Sequence, residues 1–153
     1  MTKTDRVNYP EKIIALWTVF LLGTLFHTQL ALIPLFHGID VAIMSHHHQE
    51  TATIAEITPI LWGMLLFFIL PMLAIIAIAF YRFKRWRVFH FGFTLLYSVL
   101  NLAHLVADLV VDPIAWYQIA LMLLLFLVGI LLNIVSYQWV KSGVRHLKVN
   151  TVN

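Results

Sequence analysis

The chain has 153 residues, of which 61% are hydrophobic and 11% are charged, and its formal net charge at pH 7 is +3. A water-soluble domain of this size could not bury so much apolar surface, so the composition indicates an integral membrane protein. The absence of cysteine excludes disulfides, thiolate metal sites, iron–sulfur clusters and cysteine nucleophiles, and nothing in the sequence favours a nucleic-acid partner.

Four apolar runs stand out in chain order, each longer than the roughly 20 residues that a helix needs to cross the hydrocarbon of a membrane. They lie at 13–36, 57–81, 88–111 and 114–140. The first run is too long for the core of a signal peptide, which predicts a retained helix. The connections are short except for residues 37–56, and short connections favour antiparallel neighbours. We therefore predict a single domain over residues 1–153, an all-α, up-down-up-down four-helix transmembrane bundle.

The basic residues predict the orientation of this bundle. All ten Lys and Arg residues lie in the N-terminal tail, the linker between the second and third runs, and the C-terminal tail. The other two connections contain none. By the positive-inside rule, both termini lie in the cytoplasm and residues 37–56 form an outer loop. A bacterial inner membrane or its equivalent is the expected location.

The second and fourth runs resemble scaffolding more than a site. Gly63 and Gly129 predict places where helices approach each other closely, because a small side chain lets two backbones come together. Asn133 predicts a polar contact between helices in the cytoplasmic half.

Histidines and carboxylates collect on the predicted outer side. Nitrogen and oxygen ligands of this kind suit Cu, Zn or Fe better than Mg or Ca. The predicted metal ligands are His37, Asp40, His46, His47, His48 and Glu56. Two alternatives stay open: a solvated loop for the three consecutive histidines, and compensation of the helix dipole for Glu56.

The third run carries six polar residues at intervals of four and three, which places them on one helical face. They are His90, Thr94, Tyr97, Asn101, His104 and Asp108, and we call this set the polar seam. An ionisable residue inside a membrane normally faces the bundle interior and marks a functional site. Asp108, one turn beyond His104, is expected to accept the imidazole N–H and orient the ring. Hydrogen bonding between helices is the expected role of Thr94 and Tyr97.

His27 in the first helix is predicted to face His104. Counted from the outer ends of their helices, the two residues differ in depth by only about 3 Å. We therefore predict a cofactor in the outer half of the bundle, held by His27 and His104 with Asp108 and Asn101 beside them. The candidates are haem b and a transition metal, either Cu, Fe or Zn.

The interval of 14 residues between His90 and His104 resembles that of the paired haem histidines in membrane b-type cytochromes. The resemblance covers only this pair and implies a haem ligand near each membrane surface. No other helix carries a matching pair. One outer haem between His27 and His104 is the remaining haem arrangement, with Met64 or Met72 as a possible sulfur ligand.

Three functions follow from these observations. The first is a membrane protein that holds a haem or a transition metal near its outer face, in electron transfer or metal handling. The second is a non-catalytic accessory or assembly subunit, whose seam supplies hydrogen bonds between helices. The third is a small proton or ion transporter that uses the seam as its path. Lipid, other membrane subunits or further copies of the chain are the expected partners.

Overall fold

The computed structural model describes residues 8–38, 54–81, 83–110 and 114–150, with residues 143–150 described by their backbone alone. This part of the chain forms four helices: α1 (Tyr9–Phe36), α2 (Ile54–Phe80), α3 (Lys84–Val110) and α4 (Trp116–Asn150). All four are long and apolar enough to cross a membrane. The predicted all-α class and the four candidate spans are confirmed.

The helices start and end at different residues from the apolar runs. α1 begins at Tyr9, before the apolar run, because Pro10 fits the first turn of a helix and Asn8 donates a hydrogen bond to the Glu11 carboxylate. α4 continues to Asn150, although its apolar span is Trp116–Ser142. Hydropathy marks the part of a helix that suits hydrocarbon, whereas polar residues extend the same helix beyond it.

α4 packs closely against both α1 and α3, and α1 also packs against α2. The contact with α1 needs Gly23, since a Cβ atom there would overlap the side chain of Leu125. The contact with α3 is also close at Gly129, where an added Cβ would lie 3.1 Å from Ser98 Oγ. Asn133 Nδ2 also donates to Ser98 Oγ at 2.7 Å, so the close approach and the polar contact predicted for α4 are both confirmed.

Aromatic side chains fill the interior between the first half of α1 and the first half of α3. The ring of Trp17 lies 5.3 Å from that of Tyr97, 5.6 Å from Phe93 and 5.7 Å from Phe20, measured between centroids. Trp17, Phe20 and Tyr97 are all buried. Edge-to-face and tilted arrangements of this kind stabilise a core beyond the area they bury.

The outward faces of the helices are strongly apolar. Leu22, Ile60 and Val99 are each more than 60% exposed, and many other large hydrophobic side chains are exposed with them. A soluble monomer rarely exposes a continuous apolar surface of this extent. The chain therefore has the surface that hydrocarbon requires.

α2 and α3 are separated by a cleft. Tyr97 of α3 reaches across it: its hydroxyl donates to the backbone oxygen of Phe67 at 2.9 Å, and their rings lie 5.1 Å apart. One cavity of about 350 Å³ and another of about 380 Å³ are lined by residues on either side of this contact. Gly63 borders the first cavity and has no neighbour within 4 Å of an added Cβ, so the close helix approach predicted there is wrong.

Candidate metal centre

The first four residues of the polar seam face the bundle interior, as the spacing predicts, whereas His104 is exposed. His90, Thr94, Tyr97 and Asn101 are all buried. The Thr94 hydroxyl donates to the carbonyl of Phe91 in its own helix, so it adds no bond between helices. Tyr97 does bond another helix, through Phe67.

At the far end of the seam, α3 meets His27 of α1. The Nε2 atoms of His27 and His104 lie 3.3 Å apart. Asp108 lies beside both, with Oδ2 at 3.5 Å from Nε2 of His27 and Oδ1 at 3.7 Å from Nε2 of His104. The predicted proximity of the two histidines is confirmed, while their role in holding a cofactor stays a prediction.

Asp108 differs from its expected role. A carboxylate that orients a metal-binding histidine accepts a hydrogen bond from the ring nitrogen facing away from the metal. Here the carboxylate instead faces the same nitrogen of His104 that faces His27, and neither of its contacts is short enough for a good hydrogen bond. Asp108 therefore lies where a carboxylate oxygen can act as a third ligand beside the two histidines. The (i, i+4) spacing with His104 fits either role, so the sequence could not separate them.

The three side chains can converge on one ion. One ligand atom from each of His27, His104 and Asp108 lies within 4.8 Å of the others, and no other such group of three occurs among the described residues. Two ligand atoms of a tetrahedral ion, each about 2.0–2.1 Å from it, are roughly 3.4 Å apart. The 3.3 Å between the two Nε2 atoms is close to that value, and each Nε2 has a different Asp108 oxygen near it, Oδ2 at 3.5 Å from His27 and Oδ1 at 3.7 Å from His104.

Unequal burial leaves the centre enclosed on one side. The side chains of His27 and Asp108 are 7% and 20% exposed, whereas that of His104 is 55% exposed. Within the described residues, His27 Nδ1, Asp108 Oδ2 and Asn101 Oδ1 are buried without a hydrogen-bond partner. Buried polar atoms normally have one. An ion or a ligand at this position would satisfy the carboxylate oxygen.

Asn101 is close to the cluster but outside it. Together with His27 and His104 it lines the cavity of about 350 Å³ between the helices. Met64 lines the same cavity from α2. Sequence analysis missed the cavity itself, since no local pattern encodes the distance between α2 and α3.

The position of His90 does not suit a cofactor ligand. Its Nε2 accepts a hydrogen bond of 2.9 Å from the indole Nε1 of Trp17, and its ring packs edge-on against Trp139. The nitrogen that would bind a haem iron is therefore occupied by a tryptophan, contrary to the resemblance to a two-haem cytochrome. The hydropathy pattern gave no sign that Trp17 would be the partner.

The other predicted metal ligands fall into two groups. His37, at the C-terminal cap of α1, and Glu56, in the first turn of α2, are exposed and do not join the cluster of the described residues. His37 is ten residues beyond His27, or about 15 Å along the helix axis. Asp40, His46, His47 and His48 lie outside the residues that the structure describes.

Comparisons with protein-family models, with curated proteins and with solved structures give no match for this chain.

Proposed function

We propose that this protein is an integral membrane protein that binds one divalent transition-metal ion through His27, His104 and Asp108. The convergence of the three ligand atoms supports this proposal most directly. An ionisable group at membrane depth is costly, and two imidazoles with one carboxylate make a ligand set that offsets this cost when an ion is bound.

The ligand set favours Zn(II) or Fe(II). Imidazole and carboxylate bind both metals, and the chain has no thiolate for a softer site. Two histidines and one carboxylate leave at least one coordination position open in either a tetrahedral or an octahedral geometry. Such a site can bind and polarise a further ligand.

A haem is less compatible with this arrangement. Two axial histidines on a haem iron lie on opposite faces of the porphyrin, so that the macrocycle separates them. Here the two Nε2 atoms are only 3.3 Å apart, and the Asp108 carboxylate lies beside them with one oxygen within 3.7 Å of each. Asp108 would occupy the space of the porphyrin ring.

A transport path along the seam has less support than a binding site. Tyr97 and Trp17 pack tightly in the interior next to the site, and His90 beyond them is fully buried against tryptophan rings. The described part of the seam thus leads from the cluster into a packed aromatic core. We therefore infer that the ion is held rather than conducted.

The orientation is part of the proposal. The partition of all Lys and Arg residues supports cytoplasmic termini, which would place the cluster in the outer half of the membrane. At the proposed cytoplasmic end, the Arg87 guanidinium donates to the Trp139 carbonyl and lies 5.1 Å from the centre of its ring. Trp and Arg residues favour the interface between membrane and water, which is where the proposed orientation puts this pair.

Metal titration of the purified, chelator-treated protein tests the proposal. We expect one Zn(II) or Co(II) ion per chain by elemental analysis after gel filtration, and no Soret band. A Soret band that depends on His27 and His104 would select haem instead. Absence of both metal and haem binding would favour the accessory-subunit alternative.

A further inference from the structure

The cavity beside the cluster is placed to serve the open coordination position. His27 and His104 line this cavity of about 350 Å³ as well as facing the ion position. Its size lies at the lower end of small-molecule pockets, which span roughly 300–1,000 Å³. A molecule in the cavity would therefore be next to the metal.

The lining indicates an apolar occupant. Most of the lining surface is apolar, and Phe67, Phe68, Leu100 and Met122 contribute to it. Thr24, a hydroxylated residue of the lining, donates its hydrogen to the Phe20 carbonyl of its own helix, so it offers a ligand no free hydrogen-bond donor. Apart from the metal ligands, Asn101 and the threonines, the cavity holds the side chains that suit a hydrocarbon body.

The cavity opens at hydrocarbon depth. Met64 and Leu100, on its two edges, are 45% and 42% exposed. Each is ten residues from the nearer end of its helix, or about 15 Å along the axis, and the hydrocarbon of a bilayer is about 30 Å thick. In a membrane, the opening between α2 and α3 would therefore face lipid acyl chains rather than water.

We propose that this cavity binds a lipid-phase amphiphile, a molecule with an apolar body and a small oxygen head group, whose oxygen takes the open position of the metal. This inference rests on the proposed metal centre. The molecule would enter sideways from the membrane through the cleft. The Phe67–Tyr97 contact would limit how far its body extends.

Hydroxamic acids supply probes of this chemistry, because their oxygens bind divalent metals and their tails can be varied. The Co(II)-loaded protein in nanodiscs is titrated with octanohydroxamate and with acetohydroxamate, and the cobalt absorption bands report coordination. Each buried methylene tightens binding about fourfold. We expect both probes to change the spectrum. The affinity for octanohydroxamate should depend on the cavity, whereas the affinity for acetohydroxamate should not.

Two glycines provide a matched pair of variants. An added Cβ meets nothing within 4 Å at Gly63, which lines the cavity, or at Gly92, which does not. Gly63→Leu should weaken octanohydroxamate at least tenfold, leave acetohydroxamate within twofold and retain the cobalt, while Gly92→Leu changes neither probe. Leu100→Phe narrows the same cavity from α3 and should repeat the effect.

The outcomes separate the two proposals. If cobalt does not bind, or binds equally well to His27→Ala, the metal centre itself is wrong. If cobalt binds but octanohydroxamate retains wild-type affinity in both Gly63→Leu and Leu100→Phe, the metal centre stands and the amphiphile site is wrong. Should one variant lose its cobalt through misfolding, the other decides.

Discussion

The indole of Trp17 donates a hydrogen bond to Nε2 of His90, and both side chains are completely buried. Because an indole nitrogen only donates, the imidazole nitrogen that receives the bond carries no proton. The bond joins α1 to α3. His27 and His104 lie further along the same two helices, so this bond helps to fix the relative position of the two histidines.

Removal of this bond should destabilise the bundle without removing a metal ligand. Trp17→Phe leaves a buried imidazole nitrogen without a donor and leaves space in the aromatic core, which should lower the free energy of unfolding by about 1–3 kcal/mol. Unfolding in a detergent mixture measures the change. Trp62→Phe is the matched control, because Trp62 is 61% exposed on α2 and should change stability little. Equal stability of Trp17→Phe and wild type would show that the bond contributes nothing.

The two clustered histidines should be required for metal binding. His27→Ala and His104→Ala each remove a ligand, and we expect either one to weaken Zn(II) binding by more than about 100-fold, beyond the loss typical of an outer-shell partner. Competition with a chromophoric chelator measures the affinity. His37→Ala is the control, since His37 caps α1 away from the cluster and should bind zinc as wild type does. Wild-type affinity in both cluster variants would remove the proposed centre.

Substitution of Asp108 distinguishes between its two possible roles, a metal ligand and a carboxylate that orients a histidine. An orienting role predicts that Asp108→Asn loses only about 10- to 100-fold in affinity. The observed position predicts a larger loss, comparable to that of the histidine variants, because the carboxylate faces the ion position directly. The same competition assay measures it. Glu56→Gln serves as the control, and a loss there equal to that of Asp108→Asn would bring Glu56 into the site.

Gly23 should be intolerant of any side chain. A Cβ atom at this position overlaps Leu125, which is 1% exposed and has little room to move, so Gly23→Ala should cost about 1–3 kcal/mol of stability. Gly63→Ala should cost nothing, since its surroundings are open. A double variant with Leu125→Ala tests the cause: the two effects should be non-additive, and simple additivity would place the strain elsewhere.

Labelling in cells checks the orientation. The natural chain has no cysteine, so single cysteines at Ser45, Thr51 and Thr4 give unambiguous signals. An impermeant thiol reagent added from outside should modify Ser45→Cys and Thr51→Cys, and should modify Thr4→Cys only after the membrane is permeabilised. The reverse pattern would place the metal cluster in the cytoplasmic half.

The helices were predictable because hydropathy over about 20 residues depends on composition alone. The pairing of His27 with His104 was also within reach, since depth along a helix is counted in residues. The sequence could not predict three other features: the role of Asp108, the Trp17–His90 bond and the cleft beside Gly63. Each depends on the rotation of one helix against another, and that rotation is set by packing contacts such as Gly23 with Leu125.

The four helices pack to different extents and therefore have different structural roles. α4 contributes no residue to the cluster of His27, His104 and Asp108, yet it packs closely against both α1 and α3 and so helps to hold the two histidines at a fixed separation. α2 is held mainly through α1 and the bond from Tyr97. Elements with few contacts open at lower free energy than the rest of a structure. We therefore expect α2 amides to exchange hydrogen sooner than those of α4, and the cavity to change its volume while the geometry of the proposed ion site stays constant.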